Sequence, residues 1–130
     1  MWVCYGGLAQ VERYTFMPIK NVEDYIFRLD DYRGKEVLFT KEKWEKKRFR
    51  HPELNKSAFL KCLLRTIADP DEVWEDYEDR ENKRCYYKKY SSVSYAKIVV
   101  SIASNPCVVI TAYEISGIKE TNYFGLRRVR

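Results

Sequence analysis

The chain has 130 residues, 45% hydrophobic and 33% charged, with only 5 Gly and 4 Pro. That composition supplies one core and leaves out a linker or low-complexity tract. No stretch is long and apolar enough to cross a bilayer, and Met1 to Leu8 lacks a basic leader, which points to a cytoplasmic protein with no membrane contact. Net charge is a mild +5, and the four cysteines stand singly beside one histidine, so neither a disulfide framework nor a zinc site nor any other cofactor is expected.

In chain order, Asn21 to Leu29 (NVEDYIFRL) places Val22, Tyr25, Ile26 and Leu29 at helical spacing and predicts an amphipathic helix. Asp30 to Gly34 reads as a turn, and Glu36 to Thr40 (EVLFT) as a short strand, after which Thr40 caps a charged helix. Leu54 to Ala68 carries Phe59, Cys62, Leu63 and Ile67 at three- and four-residue steps, so its apolar face turns to the core. Asp69-Pro70-Asp71 ends that helix, because proline cannot continue it. Beyond it the period becomes two. Glu72 to Tyr77 predicts a short edge strand or turn, and Lys83 to Tyr90, Tyr95 to Ala103 and Cys107 to Ile115 predict strands. Their turn-sized connections imply an antiparallel meander, and helices followed by such a sheet give an α+β class.

Charge and chemistry-bearing residues are unevenly spread. Lys41, Lys43, Lys46, Lys47, Arg48 and Arg50 crowd the residues before His51, and Arg127, Arg128 and Arg130 end the chain. An acidic run from Asp69 to Asp79 stands against them, a segregation that fits a polyanion-binding face opposed by an acidic one. Strand alternation puts Arg84, Tyr86 and Lys88 on one face and Cys85, Tyr87 and Lys89 on the other, and it groups Thr111 with Tyr113. His51 is the only histidine, and it precedes a proline that starts a helix. A sheet face bearing Arg, Lys, Tyr and Thr, met by a histidine, holds the ingredients of phosphodiester chemistry. Taken singly, strand tyrosines are ordinary, and Lys88, Lys89 and Lys97 equally serve as guards against sheet-to-sheet pairing.

The order of short motifs adds to this reading. Gly34-Lys-Glu-Val-Leu-Phe-Thr40, Trp44, Arg50-His-Pro-Glu-Leu54, Asp69-Pro-Asp-Glu-Val-Trp74, Arg84-Cys-Tyr-Tyr-Lys88, Lys97-Ile-Val-Val100 and Val109-Ile-Thr-Ala-Tyr113 follow one another, with Ile118-Lys119 after them. This succession resembles the phage-associated branch of the barnase–EndoU–colicin–RelE (BECR) nucleases, over roughly Gly34 to Lys119. The resemblance implies helices packed on one face of a roughly four-stranded antiparallel sheet, with metal-independent RNA cleavage on that sheet. It makes 34–119 the nuclease core, 1–33 an N-terminal extension and 120–130 a basic tail within a single domain. His51, Arg84, Thr111 and Tyr113 become the catalytic candidates, and Lys46, Arg50, Tyr87, Lys88 and Lys97 the substrate-binding ones. Lys46 stands where members often carry a second histidine. The implied chemistry is attack of a ribose 2′-hydroxyl to give a 2′,3′-cyclic phosphate. The implied setting is a toxin of a toxin–antitoxin or phage system, checked by an antitoxin or immunity protein of acidic surface. The alternative is a non-catalytic RNA- or protein-binding module of the same fold.

Overall fold

A buried aspartate organises the start of the sheet. In the computed structural model, which describes residues 24–130, Asp31 is 5% exposed and its carboxylate accepts from the backbone N–H groups of Arg33 (2.8 Å) and Lys35 (3.0 Å). The Tyr86 hydroxyl donates to it as well, at 2.6 Å. Burial alone would raise the Asp31 pKa, but the hydrogen bonds from Tyr86, Arg33 and Lys35 prevail and hold it below its ordinary value. Gly34, at φ 83°, takes the left-handed conformation that closes the turn. The turn joins β1 (Tyr25–Asp30) to β2 (Glu36–Thr40) as an antiparallel pair, in which Phe27 and Phe39 meet edge-on at 5.4 Å.

The helix expected over Asn21 to Leu29 is therefore corrected: its described part from Tyr25 onward is a strand, and 21–23 lie outside the described residues. The apolar residues of that segment fit either period, and cross-strand pairing decided between them.

Thr40 then caps α1 (Lys41–Lys47) by accepting from the Lys43 N–H at 3.2 Å. A 3₁₀ turn, Pro52–Asn55, leads into α2 (Ser57–Ala68). The rest is strand: β3 (Glu72–Glu75), β4 (Lys83–Ser91), β5 (Ser94–Ser101) and β6 (Cys107–Ile115), which the alternation had marked. The sheet is six-stranded in the order β1-β2-β6-β5-β4-β3. Every pairing is antiparallel except β2 with β6, where Val37 and Leu38 run parallel to Cys107 and Val108. The expected four-stranded antiparallel sheet is thus enlarged to a mixed one, and a hairpin precedes the helices. The parallel join brings together segments far apart in sequence, which local periodicity does not encode.

One face of the sheet is sealed. Phe59, Leu63 and Ile67 of α2 are fully buried and pack among Tyr86, Ile98, Val100 and Ala112. Burying side chains of this size stabilises by about 1.5–3 kcal/mol each, so this layer stays closed. The opposite face carries a smaller cluster of Cys85, Tyr87 and Val99. After β6 the chain crosses that face. A 3₁₀ turn, Glu120–Asn122, lays Glu120 down at 3% exposure, and the segment then pairs with β3 through Arg127 O (Glu75 N, 3.0 Å) and Val129 N (Val73 O, 2.7 Å).

Residues 120–130, expected as a basic tail, thus form a strap with a wall of the open face on one side and a cover for the β3 edge on the other. Its cations engage part of the acidic run, with Arg127 on Glu75 at 3.0 Å and Arg130 on Asp69 at 2.9 Å. The backbone N–H of Arg127, aided by its guanidinium, outweighs burial and holds the Glu75 pKa below the ordinary carboxylate value.

Candidate active site on the open face of the sheet

Register builds the floor of the site. Cys85, Val99 and Thr111 lie abreast across β4, β5 and β6, and Tyr87, Lys97 and Tyr113 lie abreast two residues further along. These positions face away from α2. A cleft of about 330 Å³ opens over them, lined among others by Lys83, Lys97, Thr111, Tyr113, Lys119 and Glu120.

His51 stands beside this cleft, outside its lining residues, and its local fold holds it against Tyr113. Its backbone N–H closes the end of α1 on Lys47 O at 3.0 Å, and Pro52 forces the chain into the short 3₁₀ turn that follows. Leu54 plugs the core completely, and its carbonyl accepts from Trp44 Nε1 at 2.9 Å. The Arg48 guanidinium covers the Trp44 ring at 4.5 Å. Glu53 makes the decisive tie, since its carboxylate accepts from the backbone N–H of Glu114 on β6 at 2.8 Å. The neighbouring β6 residue, Tyr113, then stacks on the His51 imidazole with centroids 4.8 Å apart and planes 16° from parallel. Among the described residues no protein group hydrogen-bonds to the imidazole, and its ring contact is the stack on Tyr113.

Beside this pair lies a buried ionic network. Lys97 is 8% exposed, and its ammonium donates to Glu120 at 3.0 Å. The hydroxyl of Tyr87, a fully buried residue, donates to the other Glu120 oxygen. Lys97 also lies over the rings of Tyr87 (5.5 Å) and Tyr113 (5.7 Å). Burial disfavours the Lys97 ammonium, but Cys85, Glu120 and Tyr113 around it more than offset this and hold its pKa above the ordinary value. Glu120 is likewise opposed by burial, yet the Tyr87 hydroxyl and the Lys97 charge keep its pKa low. Burial and the Glu120 carboxylate push the Tyr87 phenol upward. At neutral pH the network is therefore an ammonium, a carboxylate and a neutral phenol.

The structure places Lys97, Thr111 and Tyr113 in the cleft and stacks His51 on Tyr113 beside it, with Tyr87 as a buried prop in place of a stacking ring. It does not gather Arg84 or Lys88. Their parity turns them to the side that α2 covers, where Arg84 donates to the carbonyls of Arg80 (2.7 Å) and Lys83 (2.9 Å). Lys88 donates to Asp69 O (2.8 Å) and Asp71 (3.2 Å). Lys46 and Arg50 do not line the cleft; Lys46 sits on the exposed face of α1, 3.7 Å from Glu42, and Arg50 is exposed beside His51. Cleft residues that sequence reasoning missed include Lys83, Lys119 and Glu120. Extending the Cys85/Tyr87 alternation back by one step would have found Lys83, whereas no local pattern marks Glu120. Among the described residues no three His, Cys, Asp or Glu side chains stand together as a metal site, and no helix is long and apolar enough to cross a membrane.

Residues 18–130 match the family described as phage-Barnase-EndoU-ColicinE5/D-RelE like nuclease 2. The chain belongs to this nuclease family. No curated protein and no solved structure matches it. Within this phage BECR-like nuclease the segment Arg50-His51-Pro52-Glu53-Leu54 is fastened to the sheet. Pro52 and Leu54 set the turn, Glu53 fastens it to β6, and His51 is presented. A Glu53→Ala protein should lose about 1–2 kcal/mol with this charge-assisted bond. Its nuclease activity should fall by roughly 10- to 100-fold, because an error near 1 Å at a reacting group is that costly. Glu53→Gln, which can still accept from Glu114, should recover most of both. Paired measurements of cleavage rate and urea midpoint check this, and equal effects of the two variants would sink it.

Proposed function

We propose that this nuclease is an endoribonuclease that cleaves by attack of a ribose 2′-hydroxyl on the adjacent phosphate. The observation that carries the reading is the stacking of His51 on Tyr113 beside the buried Lys97 ammonium. A proton acceptor and an ammonium then both lie against the hydroxyl-bearing ring of Tyr113. His51 takes the 2′-hydroxyl proton as that oxygen bonds to phosphorus. Lys97 stabilises the charge that builds on the non-bridging oxygens, with Lys83 and Lys119 contributing along the cleft. Thr111 holds a phosphate oxygen. The bond to the 5′-oxygen breaks with a proton from the Tyr113 hydroxyl, and the His51 imidazolium returns its proton to the tyrosinate. The products are a 2′,3′-cyclic phosphate and a free 5′-hydroxyl, and the scheme routes no step through a metal.

The same reading makes the protein a toxin of a toxin–antitoxin or phage system, since uncontrolled RNA cleavage harms its host. Its neutralising partner would present acidic surface to α1, where Lys41, Lys43, Lys46 and Lys47 lie in one short helix.

The test is digestion of a total-RNA pool with chelator present, followed by identification of the product ends. Cyclic phosphate and 5′-hydroxyl ends, with a DNA strand of matching sequence left intact, are the expected result. Equal cutting of DNA or an absolute need for magnesium would overturn the scheme. RNA binding with no cleavage at all would favour the non-catalytic module.

A further inference from the structure

The cleft reaches a pair of tyrosines that the cleavage chemistry does not use. Tyr77, in the β3–β4 connection, and Tyr123, on the strap, stack with centroids 4.3 Å apart and planes 25° from parallel. Both line the cleft, yet they remain 59% and 40% exposed. Tyr87, by contrast, is fully enclosed and offers no ring face.

Both exposed rings are held in place before any ligand arrives. Tyr123 N donates to Glu120 O at 3.1 Å, and the Arg80 guanidinium binds the carbonyls of Gly125 (3.2 Å) and Phe124 (3.5 Å), which fastens the strap. Gly125 sits at φ 86° with Arg80 packed 3.3 Å from where a Cβ would stand, so this anchor needs glycine. On the other side Asp76 accepts from the N–H groups of Glu78 and Asp79 at 3.1 Å each, which fixes the loop bearing Tyr77.

Charge sorts what each part of the cleft will accept. Lys83 and Lys119 suit phosphate, and Lys97 in the same cleft shares its charge with Glu120. Tyr77 is flanked by Asp76 and Glu78, which repel phosphate and leave room for an uncharged, flat group. An aromatic platform with lysines further along the same cleft is the arrangement that holds an unpaired base and its backbone together.

We propose that Tyr77 and Tyr123 form a nucleobase-stacking site, occupied by an unpaired base of the strand whose phosphate lies over Lys97, so that the substrate is single-stranded. This rests on the ribonuclease reading for the identity of the strand. A base inside a duplex already stacks on its neighbours and does not reach such a platform.

The experiment titrates the full chain with a single-stranded RNA tetranucleotide, 2′-O-methylated throughout so that it binds but does not react. A matched set carries one abasic position at a time. Tyr123→Ala should weaken the complete probe by roughly 10- to 100-fold, the range expected for loss of one stacked base. The variant should show no such effect on the probe whose abasic position faces the platform, and Tyr123→Phe should bind like wild type. Tyr77→Ala should repeat the pattern, and melting curves confirm that each variant is folded. Equal weakening of all probes by Tyr123→Ala, no weakening of any, or failure of the wild type to bind the probe would overturn the proposal. The two readings fail separately. A protein that binds the probe through Tyr123 but cleaves no RNA loses the catalytic scheme and keeps this site, and one that cleaves RNA with no base-dependent Tyr123 effect does the reverse.

Discussion

A His51→Ala protein is expected to cleave RNA about 10²- to 10⁴-fold more slowly than wild type, the usual worth of a positioned acid–base group. Its fold should survive. The imidazole is only half-buried and makes no hydrogen bond to a described protein group, so the structural loss is the stack on Tyr113. Such a ring pair is worth about 0.5–1.5 kcal/mol, small beside the 5–15 kcal/mol that typically holds a domain together. Rate and stability should therefore separate, with catalysis collapsing while the melting temperature moves by a few degrees. Tyr113→Phe gives the complementary view, since it keeps the stack and removes only the hydroxyl. Initial rates on a single-stranded substrate, with thermal melts of the same preparations, decide the matter. A His51→Ala enzyme within about twofold of wild type would place the proton acceptor elsewhere.

The largest loss of stability is expected from Glu120→Ala. That change strands the Lys97 ammonium at 8% exposure and leaves the Tyr87 hydroxyl without its acceptor. Removing one partner of a buried pair costs about 3–5 kcal/mol, which for a domain of this size lowers the melting temperature by roughly 10 °C or more. Replacing all three polar partners with apolar residues, Lys97→Met and Glu120→Leu with Tyr87→Phe, should recover much of the stability and none of the activity. A single Glu120→Ala loss under about 1 kcal/mol would mean that water solvates the pair.

The pH dependence follows from the two shifts. Glu120 has a depressed pKa, so its contribution is complete above the ordinary carboxylate range and is lost as pH falls through the folded value below it. Lys97 has a raised pKa, so its contribution is complete below the ordinary lysine value and is lost as pH rises through the folded value above it. Between those limits the pair contributes fully. Asp31 and Glu75, also depressed, steepen the acid side, and Glu120→Gln should flatten it only in part.

Legibility in the sequence followed the range of the interactions that built each part. The strands β4, β5 and β6 were readable because β-branched and aromatic residues alternate there and short turns join them. α2 was readable because its apolar residues recur at the helical step. β1 was not, because Tyr25, Ile26 and Leu29 satisfy a helical spacing while the Asp31–Gly34 turn and the partner strand fix the other outcome. The site shows the same division. Alternation alone separated Arg84 and Lys88 from Tyr87, but it carries no sign for which face α2 will cover. That choice is made by packing, and it turns Arg84 and Lys88 away from the cleft. Glu120 reaches Lys97 only because the chain folds back after β6, a contact that no local pattern announces.

The parallel join of β2 to β6 also sets the order in which the molecule acquires its chemistry. Val37 waits for Cys107, the turn bearing His51 waits for the Glu114 backbone, and Lys97 waits for Glu120. Pairings between such distant segments form late, because loop-closure entropy is spent before they repay it. During synthesis from the N-terminus, His51 emerges well before the strand it stacks on, so no early stretch of nascent chain carries a finished site. The His51–Tyr113 stack and the Lys97–Glu120 pair therefore arise together, only once the residues up to Glu120 have left the ribosome.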